Sequence, residues 1–327
     1  MRLRLRREAA NGGSHMARAV FVTDVHGSDK CFGKFLNSAQ FYEAQYLILG
    51  GDITGKSIVP IERTERGWSA EYSGRRYDDM TQSERGELEQ LIRANGFYPL
   101  VGERDELAAL SDRSHLEERF IPIVIEHMAR WVQMAEDRLR GTGVRCFITP
   151  GNDDSFKIDD ALRGSEVVEF VEGRCVTLDE NHEMITTGYS NITPWASERE
   201  LDEPELSDYL ERMMGEVRDP ERLVAVIHVP PIETLLDQAP EIDEELRVKG
   251  GAGGVKIAHV GSSAVRSFIE RHQPLVGLHG HVHESRGAQS LGRTLCVNPG
   301  SEYSDGVLCG AIISFNRDRV THQFVAG

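Results

Sequence analysis

Paired thiols, long apolar runs and a surplus of positive charge are all missing from this sequence. The five cysteines, Cys31, Cys146, Cys175, Cys296 and Cys309, are odd in number and widely spaced, with no CxxC among them. That argues against a disulfide framework or a thiolate zinc site. It fits small buried residues in a reducing compartment, so the cytoplasm is the expected location. No apolar run approaches a membrane span, and Met1 to Arg7, although Arg-rich, lack the apolar stretch of a secretory signal. With a formal charge of −16 there is no Lys and Arg array for a nucleic-acid backbone. A small phosphorylated substrate stays open, because bound cations can reverse the field inside a cleft. Gly13-Ser14-His15-Met16 reads as the scar of an expression tag, so residues 1–16 are expected to stand outside the fold, and His15 outside any ligand set.

What is present is 39% hydrophobic and 28% charged over 327 residues, ordinary globular material and enough for one large domain or two small ones. Its chemistry-bearing residues gather at the ends of apolar runs. Ala19 to Thr23 ends at Asp24-Val25-His26, Tyr46 to Leu49 at Gly50-Gly51-Asp52, and Val144 to Thr149 at Gly151-Asn152-Asp153-Asp154. Leu223 to Ile227 ends at His228, and Leu275 to Leu278 at His279-Gly280-His281-Val282-His283. Short runs that each finish in a carboxylate, amide or imidazole are what an α/β protein presents at the carboxyl edge of its sheet. In an extended chain the alternate spacing of the three histidines sends their rings to one side, where they can close on one ion or an adjacent pair.

Asp29 to Gln40 carries helical spacing between the first two runs, which predicts a parallel strand, helix, strand unit. Gly50 to Ser57 also matches the phosphate-loop pattern GxxxxGK[ST], which requires a helix to begin at the Lys and Ser. The following Ile58-Val59-Pro60-Ile61 reads instead as a strand, in a hairpin turning at Arg66-Gly67. A P-loop NTPase is therefore the rival to be tested rather than the leading reading. Residues 58–143 form a hairpin plus helical insertion, mostly helical from Asp78 on, which would serve as a cap over the site, a solvated appendage or a dimer contact. His127 and Trp131 there share an i, i+4 face and read as packing. Three further strands from Thr294 onward are expected to complete a second sheet.

The set Asp24-Val25-His26, Gly51-Asp52, Gly151-Asn152, His228-Val229-Pro230-Pro231, Gly280-His281-Val282-His283 and Asn298-Pro299-Gly300-Ser301 resembles the calcineurin-like metallophosphoesterases, in particular their bacterial cyclic-nucleotide-phosphodiesterase-like branch. The resemblance runs over residues 24–301 apart from the insertion. It implies a four-layer α/β/β/α sandwich with two metal ions, Asp24, His26, Asp52 and His283 holding one and Asp52, Asn152, His228 and His281 the other. Oxygen and imidazole donors without thiolate suit Mn, Fe, Zn or Co. Two such ions can share a hydroxide and hold a phosphoryl group for in-line attack. His279 falls outside that pattern and is expected beneath the site. The family usually has His where this chain has Asp153, and a carboxyl group so close to two cations is a poor acid. Asp153 is thus the one catalytic candidate, and the expected preference is for phosphodiesters, cyclic nucleotides among them, over alkyl monoesters. The alternative is a metal-binding but catalytically weak interaction scaffold.

Overall fold

The computed structural model describes residues 16–243, 245–251 and 254–327; the tag-like segment, residues 1–15 of it, lies outside them. The chain opens with strand β1 (Ala17–Val22), helix α1 (Asp29–Phe41) and strand β2 (Tyr46–Gly50). The two strands pair in parallel, Ala19 opposite Tyr46. Helix α1 starts where Ser28 accepts from the backbone N–H of Cys31, and it buries Cys31, Phe32, Phe35, Leu36 and Ala39, the face its spacing predicts.

Next come β3 (Ile58–Thr64), β4 (Gly67–Tyr72), β5 (Arg75–Met80), α2 (Gln82–Ala94), β6 (Tyr98–Gly102), α3 (Arg104–Ala108) and α4 (Arg113–Leu139). Beyond the hairpin the segment is mostly helical, as expected, but it also holds β5 and β6, which the sequence reading does not include and which complete a four-stranded sheet in the order β5-β4-β3-β6. Neither segment alternates cleanly; β5 forms by pairing with β4 and β6 by pairing in parallel with β3, so tertiary partners override weak local pattern. Helix α2 is capped by Thr81 through a reciprocal box with Glu84.

The core resumes with β7 (Arg145–Thr149), α5 (Asp159–Arg163), β8 (Val168–Phe170), β9 (Arg174–Thr177), β10 (Glu183–Thr187), α6 (Glu203–Met214) and β11 (Leu223–Ile227). It ends with α7 (Ser263–His272), β12 (Val276–Leu278), β13 (Gly287–Leu291), β14 (Thr294–Asn298), β15 (Cys309–Asn316) and β16 (Arg319–Ala326). One six-stranded sheet runs β16-β15-β1-β2-β7-β8 and another β13-β14-β12-β11-β10-β9. The final hairpin does not extend the second sheet, as its position in the chain suggests; β15 pairs antiparallel with β1 and finishes the first.

Three apolar clusters separate four layers. Phe32, Phe35 and Leu36 of α1 meet Met128, Trp131 and Leu139 of α4 on the outer side of the first sheet. Phe21, Ile48, Phe147, Val224, Val226, Leu278 and Phe315 fill the space between the sheets, while Leu206, Leu210, Val265 and Phe268 cover the second sheet from α6 and α7. The architecture is an α/β/β/α sandwich. Because α4 lies in its outer layer, the insertion is anchored along much of its length rather than appended.

Candidate metal centre

The parallel strands β1, β2 and β7 of one sheet and β11 and β12 of the other all end at the same edge of the sandwich. Each therefore delivers its next few residues to one place. Asp24, His26, Asp52, Asn152 and His228 are all buried there, with His281 and His283 half-buried beside them. Oδ1 of Asp52 is 3.4 Å from Nε2 of His228, and its Oδ2 is 3.8 Å from Nε2 of His26. Nε2 of His283 stands 3.1 Å from Nε2 of His26 and 3.4 Å from Oδ1 of Asp24. Oδ1 of Asn152 is 2.8 Å from Nδ1 of His281. Asp24, His26 and His283 form one group with donor atoms close enough for a single ion, and Asp24, Asp52 and His228 form another.

Getting these side chains together requires unusual backbone. Asp24, His26, Asp52 and His281 all adopt positive φ, at 52°, 37°, 48° and 66°, a region that costs non-glycine residues of order 1–3 kcal/mol each and persists where surrounding structure enforces it. The enforcement is visible: the N–H groups of Asp24 and His26 donate to the carbonyls of Gly51 and Asp52. The N–H of His281 reaches the Asp24 carboxylate at 3.1 Å, and the amide of Asn298 donates to the carbonyl of Val282 at 2.9 Å. Glycine is needed where elements touch. A Cβ on Gly51 would lie 2.2 Å from Nδ1 of His228, and one on Gly280 2.4 Å from Oδ2 of Asp24.

The donor set fits metal ions on its own chemistry. Carboxylates Asp24 and Asp52 are buried next to each other, an arrangement that needs positive charge. Burial opposes their ionisation, but His283 and His228 beside Asp24, and His228 beside Asp52, hold both well below the usual carboxylate range. Burial drives His26 down to about 3 and His281 to about 4, so these rings offer neutral nitrogen lone pairs. His228 donates through Nδ1 to the carbonyl of Gly50 at 3.0 Å, which aims its buried Nε2 at Asp52. Burial would lower its pKa, but Asp52 and Asp24 overcome that and raise it to about 10, so its proton supplies the positive charge that a metal would supply in its place.

Residues outside the set have distinct places. His279 is buried beneath, Nδ1 2.8 Å from the carbonyl of Ile227. Asp154 points away from the cluster and accepts from the N–H groups of Gly151, Ile53 and Thr54 at 2.7, 2.9 and 2.8 Å, tying two loops together. Asp153 faces the opening, where Lys56 Nζ meets its Oδ2 at 2.7 Å. Sequence reasoning had assigned Lys56 no role here. Its signal was the phosphate-loop pattern, yet the residues after Lys56-Ser57 are strand β3, not the helix that a phosphate loop requires at its Lys and Ser. Tyr303 was also missed; its ring lies 4.6 Å from that of His26.

No protein-family model matches the chain. An uncharacterised protein of Methanocaldococcus jannaschii, MJ1162, is 29% identical over 152 residues, 46% of this chain and 61% of that protein, so the match spans less than two thirds of the relative. Among solved structures, one crystal structure superposes with a TM-score of 0.57 at 18% identity, over 94% of this chain and 99% of the other. The protein TT1561 of Thermus thermophilus does so with a TM-score of 0.52 at 11% identity, over the same shares of each chain. The chain shares their fold. At these identities that likeness concerns the layers and their order, and the chemistry rests on the side chains described above.

Proposed function

We propose that this chain is a dinuclear-metal phosphoesterase of the calcineurin-like family, acting on phosphodiesters of small phosphorylated molecules. The observation that carries the reading is the posture of Asp52, one carboxylate oxygen turned to His228 and the other to His26, which would let it serve both halves of the ligand cluster. In this reading Asp24, His26, Asp52 and His283 hold one ion, and Asp52, Asn152, His228 and His281 the other, with Mn, Fe, Zn or Co suited to the donors. Bound ions would supply an acidified water and neutralise charge on the phosphoryl oxygens. Unpaired cysteines, four of them buried, support a cytoplasmic location.

The chain's own contribution lies at the opening. Burial alone would depress the ammonium of Lys56, but Asp153 and Asp52 outweigh it and raise its pKa, so Lys56 is a standing positive charge beside the ligand cluster rather than a proton donor near neutrality. Burial and Asp52 push Asp153 up while Lys56 opposes them. The 2.7 Å ion pair with Lys56 supports reading Asp153 as the group that positions Lys56 rather than as the acid for the leaving group, and that reading favours esters whose leaving groups need no acid.

The test is hydrolysis of bis(p-nitrophenyl) phosphate with added Mn²⁺, with p-nitrophenyl phosphate and an alkyl monoester alongside and Asp52→Asn as the blank. The diester should turn over fastest, and Asp52→Asn should lose about 10²-fold or more. Undiminished turnover in Asp52→Asn removes the proposal, and metal-loaded protein that hydrolyses nothing leaves an interaction scaffold.

A further inference from the structure

A cavity of about 970 Å³ runs outward from the ligand cluster, far more than a phosphoryl group fills and near the upper end for small-molecule sites. Its first wall holds Asp52, Asn152, His281 and His283; beyond them lie Ile192, Pro194, Trp195 and Ile232. Ile192 and Trp195 are each 62% exposed, large apolar side chains held in water on a protein of charge −16. Apolar surface continuous with a polar site marks a binding surface.

Charge narrows the ligand. Among the described residues that line the cavity, Lys56 is the sole Lys or Arg. Of the carboxylates farther out, Glu203 accepts from Ser262 Oγ and the N–H of Ala264 at 2.7 Å each and Glu241 from Lys249 at 2.8 Å, while Glu284, next to His283, is exposed and adds negative charge to the wall. Among the described lining residues a second phosphate, as in a nucleoside di- or triphosphate, would meet no cation besides Lys56, the nearby Lys249 being already paired with Glu241. We propose that the substrate is a phosphoester with a single phosphoryl group at the ligand cluster and a long apolar group lying against Ile192, Pro194 and Trp195. This rests on the phosphoesterase reading and specifies its substrate class.

The test uses 4-nitrophenyl methyl, butyl and octyl phosphates with the full chain loaded with Mn²⁺, each ester kept below its aggregation threshold. In each, water adds to phosphorus, the P–O bond to 4-nitrophenolate breaks, and the alkyl phosphate departs as the water's proton goes to solvent. The leaving group is constant, so kcat/KM registers the alkyl chain alone. The rise expected is about two- to fourfold per methylene, the upper figure being full burial. In Trp195→Ala and Ile192→Ser the loss should grow with chain length, cutting that dependence by half or more. Phe41→Ala, an exposed aromatic at the far end of α1, should keep it. A flat dependence in the unaltered protein overturns the inference, as does a Trp195→Ala loss equal for all three esters, or conversion of a dimer to monomer by Trp195→Ala without change in chain-length dependence. If no ester is hydrolysed, the phosphoesterase reading has failed by itself; binding of octyl- against methylphosphonate, followed by tryptophan fluorescence, then decides, and equal affinities sink the apolar site.

Discussion

Asp52 and Gly51 are neighbours with opposite tasks, one placing a carboxylate between His26 and His228 and the other keeping out of the way of His228. The 2.2 Å approach that a Cβ on Gly51 would make leads to a specific expectation: Gly51→Ala displaces the imidazole, lowering metal content in elemental analysis and cutting activity about 10- to 100-fold while the fold persists. Lys56 and Asp153 divide differently. Lys56→Met should lower kcat/KM for diesters about 10²-fold, as loss of a charge aimed at the transition state does. Because its raised pKa keeps the ammonium charged, that deficit should stay level from about pH 6 to pH 9. Asp153→Asn should cost less than Lys56→Met and leave the pH profile in place; a lost limb in that profile would restore Asp153 as an acid. The ligand candidates were legible because each stands directly after an apolar run. Lys56 was not, because the pattern containing it describes a helix start and here precedes a strand.

Helix α4 shows how an element can be legible while its role is not. Its helical spacing is plain, and Pro122 sits within it without ending it. What the spacing does not disclose is that Trp131 stacks on Phe32 at 4.1 Å and donates to Asp29 at 2.7 Å beside His127, which reaches the same oxygen at 2.7 Å. That joins α4 to the start of α1. Trp131→Ala should therefore destabilise the protein by about 3–5 kcal/mol in urea unfolding, the cost of a large buried cavity plus a lost partner. An exposed helix would lose almost nothing. Strands β5 and β6 were illegible for a related reason: each is short, and its partner in the sheet, rather than its own alternation, decides its conformation.

At the scale of the molecule the candidate centre straddles two sheets, Asp24, Asp52 and Asn152 coming from one and His228, His281 and His283 from the other. Ions bound there would hold the halves together, so metal should stabilise the whole fold: at about 100 times its dissociation constant Mn²⁺ should add about 2.7 kcal/mol, seen as a higher melting temperature that a chelator reverses. A melting curve indifferent to both would contradict the centre. The sandwich itself was legible from the order of runs and helices, whereas the destination of the last hairpin was not, since nothing in β15 records that β1 has a free side.

That pairing of β15 with β1 bears on how the protein folds. The two strands come from widely separated parts of this sequence, so the pairing closes a long loop that local contacts do not help to form; His281 and His283 must return over a similar span to meet Asp24 and His26. The candidate ligand set is therefore a non-local feature, expected to form late in folding and to be incomplete in any fragment that stops before the His281 and His283 turn.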